Sequence, residues 1–233
     1  MVKTKDKYIS ADSLTKSLFI LIQMILFALV FTTRGDFHKM ACFGCVVNPF
    51  AYSLKFLSKD KLVIFTQLGL LFTVFSDLFL IVIEPQYKSI AMVFFAIAQI
   101  CYFLRLLSLT KRKILHIILR IVASVAVIIV TIFVLKDKVD FLSLISMFYY
   151  ANLVLNLIYA IGLIKKSPLF AIGLLLFLLC DTLIGLEIAA NSYIFISETS
   201  IIYKLTHAPI NLAWIFYVPS QAFIALSLHN KNK

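Results

Sequence analysis

The sequence predicts an all-α fold, a polytopic membrane helix bundle of about eight transmembrane helices with both termini cytoplasmic, and three observations predict it. Of the 233 residues 62% are apolar and 14% charged, and mean hydropathy is +1.02, against about 45–50% apolar and about 25% charged in soluble domains. The apolar residues fall in eight runs bounded by charge, each near the roughly 20 residues that cross a hydrocarbon core of about 30 Å. Finally, the cations take sides. With the N-terminus in the cytoplasm, fifteen Lys and Arg fall on that side, among them Lys55, Lys59, Lys61, Arg105, Lys111, Arg112, Lys113, Lys165 and Lys166. Only Arg34, Lys39, Lys88, Lys136, Lys138 and Lys204 then face out. That bias is the one expected of a multi-pass protein in which an even number of helices returns both termini to the cytoplasm.

Taken in order, the runs lie at about 17–33, 42–57, 62–83, 88–108, 114–135, 141–164, 168–190 and 208–228, so a single transmembrane domain covers residues 1–233. The first follows Lys3, Lys5 and Lys7 as a signal peptide would, but no small-x-small cleavage site comes after it, so it reads as an uncleaved helix. The second is short and carries Asn48-Pro49. Loops are brief except 191–207, which has room for an interfacial segment. A formal charge of +11 is spread in twos and threes between the runs instead of forming one stripe, which fits loops against an anionic leaflet. The partners expected are therefore membrane lipids and no nucleic acid, and the localisation is integral and multi-pass, in the cell membrane if the source is bacterial. Cys42, Cys45, Cys101 and Cys180 make no disulfide framework. Cys42 and Cys45 form a lone C-x-x-C with no second pair and no His at ligand spacing, so ordinary helix positions are the reading and no metal is expected.

Polar residues inside the runs are the informative ones. Asp77 and Asp181 lie deep in the third and seventh, where a carboxylate facing lipid would cost about 2.5–3.5 kcal/mol, so both should face the bundle interior. At 100° per residue, other polar residues also share faces. Asn48, Tyr52 and Lys55 do so on the second helix, Thr66, Thr73 and Asp77 on the third, and Tyr149, Asn152, Asn156 and Tyr159 on the sixth. Gln99, Tyr102 and Arg105 mark the fourth, and Trp214, Tyr217 and Gln221 the eighth. The first and fifth show no such stripe and belong outside, against lipid. At about 1.5 Å per residue, Asp77 and Asp181 lie roughly 20 Å above the cytoplasmic ends of their helices, a level that Asn48 should also reach. Single amides and phenols serve as interhelical glue worth about 0.6 kcal/mol each, but glue needs no ionisable group. Two carboxyl groups in a poorly solvated cavity should titrate as a coupled pair, one acid and one base, a division of labour that suits hydrolysis of an ether or acetal and also a proton relay. There is a faint internal echo: Gly69-Leu70-Leu71 stands eight residues before Asp77, and Gly173-Leu174-Leu175 eight before Asp181. Four crossings separate them, which makes a parallel repeat and not the inverted repeat of many carriers.

At these residues, from about Val46 to Leu228, the sequence resembles the lysoplasmalogenase, or YhhN-like, family of polytopic enzymes. The resemblance is carried by Asn48-Pro49, the run Gly69 to Leu78 ending in Ser76-Asp77, Phe94-Phe95 with Gln99 and Tyr102, Gly173 to Asp181, and Tyr217 to Gln221. Asn48 stands where the family has Lys, and Gln99 where it has His. A neutral amide can hold a water or an ether oxygen but cannot shuttle a proton or bind phosphate as a cation. The resemblance implies hydrolysis of the vinyl ether of a lysoplasmalogen, a lysophospholipid, to a fatty aldehyde and glycerophosphoethanolamine or glycerophosphocholine. Asp77 and Asp181 would be catalytic, and Asn48, Tyr52, Lys55, Gln99, Tyr102, Tyr217 and Gln221 would position substrate or water, with no cofactor. The alternative readings are a proton-coupled membrane transporter using the same aspartates and a non-catalytic lipid-binding membrane protein. An enzyme acting on another lipid is a further reading.

Overall fold

A computed structural model describes residues 2–56, 58–83, 85–111, 113–192, 200–206, 208 and 210–229. Arg112, Lys231, Lys233 and most of 191–199 therefore lie outside the described residues, as do the side chains of Lys3, Lys5 and Lys7. The described chain is helical throughout: α1 Val2–Thr32, α2 Gly35–Ser53, α3 Lys61–Asp77, α4 Lys88–Leu107, α5 Lys113–Leu135, α6 Phe141–Gly162, α7 Pro168–Ser192, α8 Ile201–Thr206 and α9 Leu212–Leu226. Among the described residues six helical stretches are long and apolar enough to cross a membrane, namely Asp12–Thr32, Lys61–Ile83, Lys88–Leu107, Lys113–Lys138, Phe141–Gly162 and Pro168–Ile188. The protein is an integral multi-pass membrane protein. The other two expected crossings are present as helices, α2 and the 15-residue α9, but fall outside that class.

Two boundaries differ from the hydropathy reading. Helix α1 begins at Val2 and not near 17, because nothing from 2 to 32 is Gly or Pro and no residue interrupts the ladder. Helix α2 begins at Gly35, seven residues before its apolar run, after a turn in which Gly35 takes φ +61°, a region open to glycine at no steric cost. Inside α2, Pro49 has no N–H to give the carbonyl of Cys45. Gln23 of α1 supplies the missing donor, its Nε2 lying 2.9 Å from Cys45 O.

The remaining ends follow local rules. Asp60 caps α3 by accepting from the Leu62 N–H at 2.9 Å, Asp140 and Ser143 form a capping box on α6, and Pro168 opens α7, where its missing N–H is no loss. The space within 191–207 holds the short helix α8.

Helix α3 packs on α4, α7 on α9, α4 on α6, and α2 on both α3 and α9. The apolar core runs between them through Leu70, Phe95, Leu153, Phe170, Leu174, Phe177 and Ile224. Helices α1 and α5 lie at the periphery with most of their surface exposed, as their composition leads one to expect. The tightest approach is at Gly69, where a Cβ would come within 2.2 Å of the Tyr102 ring. That ring is fully buried and packs edge-on against Phe170 at 5.6 Å, so it has nowhere to go. Gly69→Ala should lower stability by about 1–3 kcal/mol, the usual range for overpacking, and lower Tm in detergent. Gly185→Ala, where nothing lies within 4 Å, should not, and equal behaviour of the two variants would contradict this packing.

Candidate functional site

Asp77 is the last residue of α3, and the chain continues from it as a π-helical segment, Leu78–Ile83. Such segments accompany functional sites because they turn a side chain out of the regular helical register. Next to it, the hydroxyl of Ser76 donates to Ala91 O at 2.7 Å, fixing α3 against α4 at this level. Asp77 is 3% exposed, and its Oδ2 accepts a hydrogen bond from the Tyr217 hydroxyl of α9. Asp181, on α7, keeps part of its surface open and accepts a hydrogen bond from the Tyr149 hydroxyl of α6. The two Tyr–Asp pairs form one cluster. Both phenols flank one ring, Phe177, whose centre lies 6.4 Å from that of Tyr149 and 5.4 Å from that of Tyr217, and Cys180 directly precedes Asp181 on α7. Rings wall the cluster: Phe95 stacks on Tyr149 at 5.2 Å, and Phe177 lies 5.4 Å from Tyr217. Trp214, half-buried, meets Tyr217 edge-on at 5.6 Å.

Such a cluster offers two carboxyl groups with a hydroxyl donor on each, flanked by apolar rings. Chemically it can give a proton, take a proton and stabilise a cation between them.

Of the nine residues singled out from the sequence, Asp77, Asp181 and Tyr217 come together here, and Gln221 lies one turn further along α9 with its Oε1 buried and unpartnered. The others make their contacts elsewhere. Gln99, eight residues beyond Ala91 and so about 12 Å along α4, accepts from Asn156 Nδ2 at 2.9 Å. Tyr102 lies against Gly69 and Phe170. The stripe on α2 faces α1 and not the interior: Asn48 donates to Gln23 Oε1 at 2.8 Å, Tyr52 stacks on Phe19 at 4.2 Å, and Lys55 pairs with Asp12. His38, one turn before Cys42, places its Nε2 3.5 Å from that sulfur, so a His does stand at helical spacing from the C-x-x-C. All four cysteines are free and buried.

Sequence reasoning missed three contributors. Tyr149 was visible in the α6 stripe but nothing marked it as the partner of Asp181. Gln23 is a lone polar residue in an apolar run. Arg120, also lone in its run, reaches from α5 to Asn156 Oδ1 at 2.7 Å and to Asn152, and its guanidinium lies 4.1 Å from the centre of the Phe103 ring. With buried Ser124 and Thr131 at spacings of four and seven, it gives α5 a polar stripe after all.

A multi-pass helical membrane protein with paired carboxyl groups held by phenols in an apolar interior is the class these features define. The sequence profile of the YhhN family matches residues 38–228, and the chain belongs to that family, the family of lysoplasmalogenases. No curated protein and no solved structure matches the chain.

Tyr149→Phe and Tyr217→Phe each remove the hydroxyl that donates to a carboxyl group. Each should lower stability by about 1–2 kcal/mol, the cost of an unmade buried hydrogen bond, seen as a lower Tm in detergent. Tyr87→Phe, at an exposed ring, should stay within about 0.5 kcal/mol of the parent. Parent-like melting of both cluster variants would mean that the phenols do not hold the carboxyl groups.

Proposed function

We propose that the protein hydrolyses the vinyl ether bond of lysoplasmalogens, releasing a fatty aldehyde and a glycerophosphoethanolamine or glycerophosphocholine. The observation that carries this reading is that Asp77 and Asp181 are each held by a phenol from a different helix, both phenols flanking Phe177, in a chain of the YhhN family. Eight crossings with both termini cytoplasmic belong to the same reading, with the less apolar α2 and the shorter α9 as the other two crossings.

Cleavage of a vinyl ether starts at carbon. One carboxyl group gives its proton to the β-carbon, and the ether oxygen shares the resulting positive charge as an oxocarbenium ion. The other carboxyl group, ionised, stabilises that cation and takes a proton from the water that adds to the α-carbon. The hemiacetal so formed collapses to aldehyde and glycerol hydroxyl. One water is consumed and the pair ends with the single proton it began with, on the opposite member.

Tyr149 and Tyr217 keep the two carboxyl groups oriented without adding charge. Phe95, Phe177 and Trp214 accept the apolar chain, and Asp181, the more open member, meets the substrate first. Gln221 takes a glycerol hydroxyl on its free Oε1. Asn48, Tyr52 and Lys55 serve by holding α1 in place.

Purified protein in detergent, given defined lysoplasmalogens, should release aldehyde detectable by mass spectrometry. Asp77→Asn and Asp181→Asn, nearly isosteric and easier to bury than carboxylates, should fold and lose about 10²-fold or more in rate. The double variant should be little worse than either single one, because residues acting as a unit lose activity non-additively. Normal turnover in both folded single variants would reduce the carboxyl groups to glue. Loss of proton-driven uptake into vesicles, with no substrate ever cleaved, would favour a carrier.

A further inference from the structure

Arg105 is fully buried in the last turn of α4, and it is not used by the carboxylate cluster. Its Nη2 donates to Ser167 Oγ at 3.0 Å, and its guanidinium stacks over Phe170 at 3.6 Å. Its Nε and Nη1 have no hydrogen-bond partner. Among the described residues no carboxylate forms an ion pair with it. A buried, uncompensated cation with free donors is costly, because both its charge and its N–H groups have left water.

What surrounds it favours an anion. Ser167, itself 8% exposed, immediately precedes α7, whose first-turn N–H groups at Leu169 and Phe170 have no acceptor within the helix. A helix N-terminus attracts negative charge, and phosphate above all. Lys166 Nζ reaches across to Leu109 O at 2.7 Å, tying the turn before α7 to the turn after α4. Lys165 and Lys111 stand exposed around the same end of the bundle.

We infer that Arg105, Ser167 and the first turn of α7 form a binding site for a phosphate group, separate from the carboxylate pair. Two independent measures set the separation. Asp181 lies fourteen residues from Ser167 on α7, and Ala91, level with Asp77, lies fourteen residues from Arg105 on α4, each about 21 Å. In a lysoplasmalogen the vinyl ether oxygen and the phosphorus are five bonds apart, at most about 6 Å at about 1.5 Å per carbon–carbon bond. A substrate lying on the aspartates therefore cannot place its own phosphate on Arg105. The occupant is a second molecule, either an anionic lipid with its headgroup at this interface or free phosphate from the aqueous side. Entry needs only the long Arg105 stem to swing its head toward the interface one turn away, as such side chains do.

The test uses the full chain in nanodiscs of neutral phosphatidylcholine, with and without phosphatidate. Inorganic phosphate is titrated into the first set and thermal shift is read in both; native mass spectrometry counts retained phosphatidate. Stabilisation by phosphatidate alone assigns the site to a lipid, and stabilisation by inorganic phosphate in neutral discs assigns it to the soluble ion. In either case Arg105→Gln should lose the shift, weakening binding tenfold or more, while Arg105→Lys should retain part of it. Ser167→Ala, which leaves the guanidinium in place, should weaken binding by a few-fold and serves if Arg105→Gln fails to fold. No shift with either phosphate source in the parent protein, or an undiminished shift in the variants, would overturn the assignment. Since the readout is binding, the result does not depend on whether the carboxylate pair cleaves anything.

Discussion

An ionisable group inside a hydrocarbon layer must find its partner on another helix, and the bundle is arranged around that requirement. The Tyr217–Asp77 bond joins α9 to α3 across 140 residues of sequence, and the Tyr149–Asp181 bond joins α6 to α7. Arg120 adds α5 to α6 through Asn152 and Asn156, and Asn156 continues to Gln99 on α4. Helix α9 shows the effect most clearly. It has 15 residues and Pro219 within it, yet it lies against α7 and α2 with Tyr217 and Gln221 buried. Its place in the core follows from the polar atoms it brings as much as from its apolar ones.

Hydropathy is a local property, which is why the eight helical runs could be read from the chain. Stripes at helical spacing also carry real information, and on α3, α6 and α9 they contain the residues that meet at the carboxylate cluster. A stripe does not say which neighbour it faces. On α2 the stripe Asn48, Tyr52, Lys55 faces α1, because α1 answers it with Gln23, Phe19 and Asp12. Only Gln23 of these is polar within the apolar run, and one polar residue makes no pattern. Arg120 escaped notice for the same reason, although it bonds two residues of the α6 stripe.

The departure of Asn48 from the Lys of the resembled family has a local counterpart. Its amide bonds to the Gln23 side chain, while the same Gln23 supplies the N–H that Pro49 denies to Cys45. Two neutral amides thus brace the α1–α2 contact, and neither touches the carboxyl groups. At Gln99 the backbone and side-chain oxygens both accept from Asn156, while Nε2 is buried without a hydrogen-bond partner. Both substitutions lie outside the Tyr–Asp cluster, so the acid and base of the proposed reaction do not depend on them.

At the centre of this account is proton transfer from a carboxyl group to the β-carbon of a vinyl ether. Turnover in heavy water examines that step most directly, because the proton delivered to carbon stays there in the product. The expected product is a fatty aldehyde carrying one deuterium on the carbon next to the carbonyl, formed more slowly than in ordinary water. Aldehyde released without deuterium at that carbon, or at an unchanged rate, would contradict it.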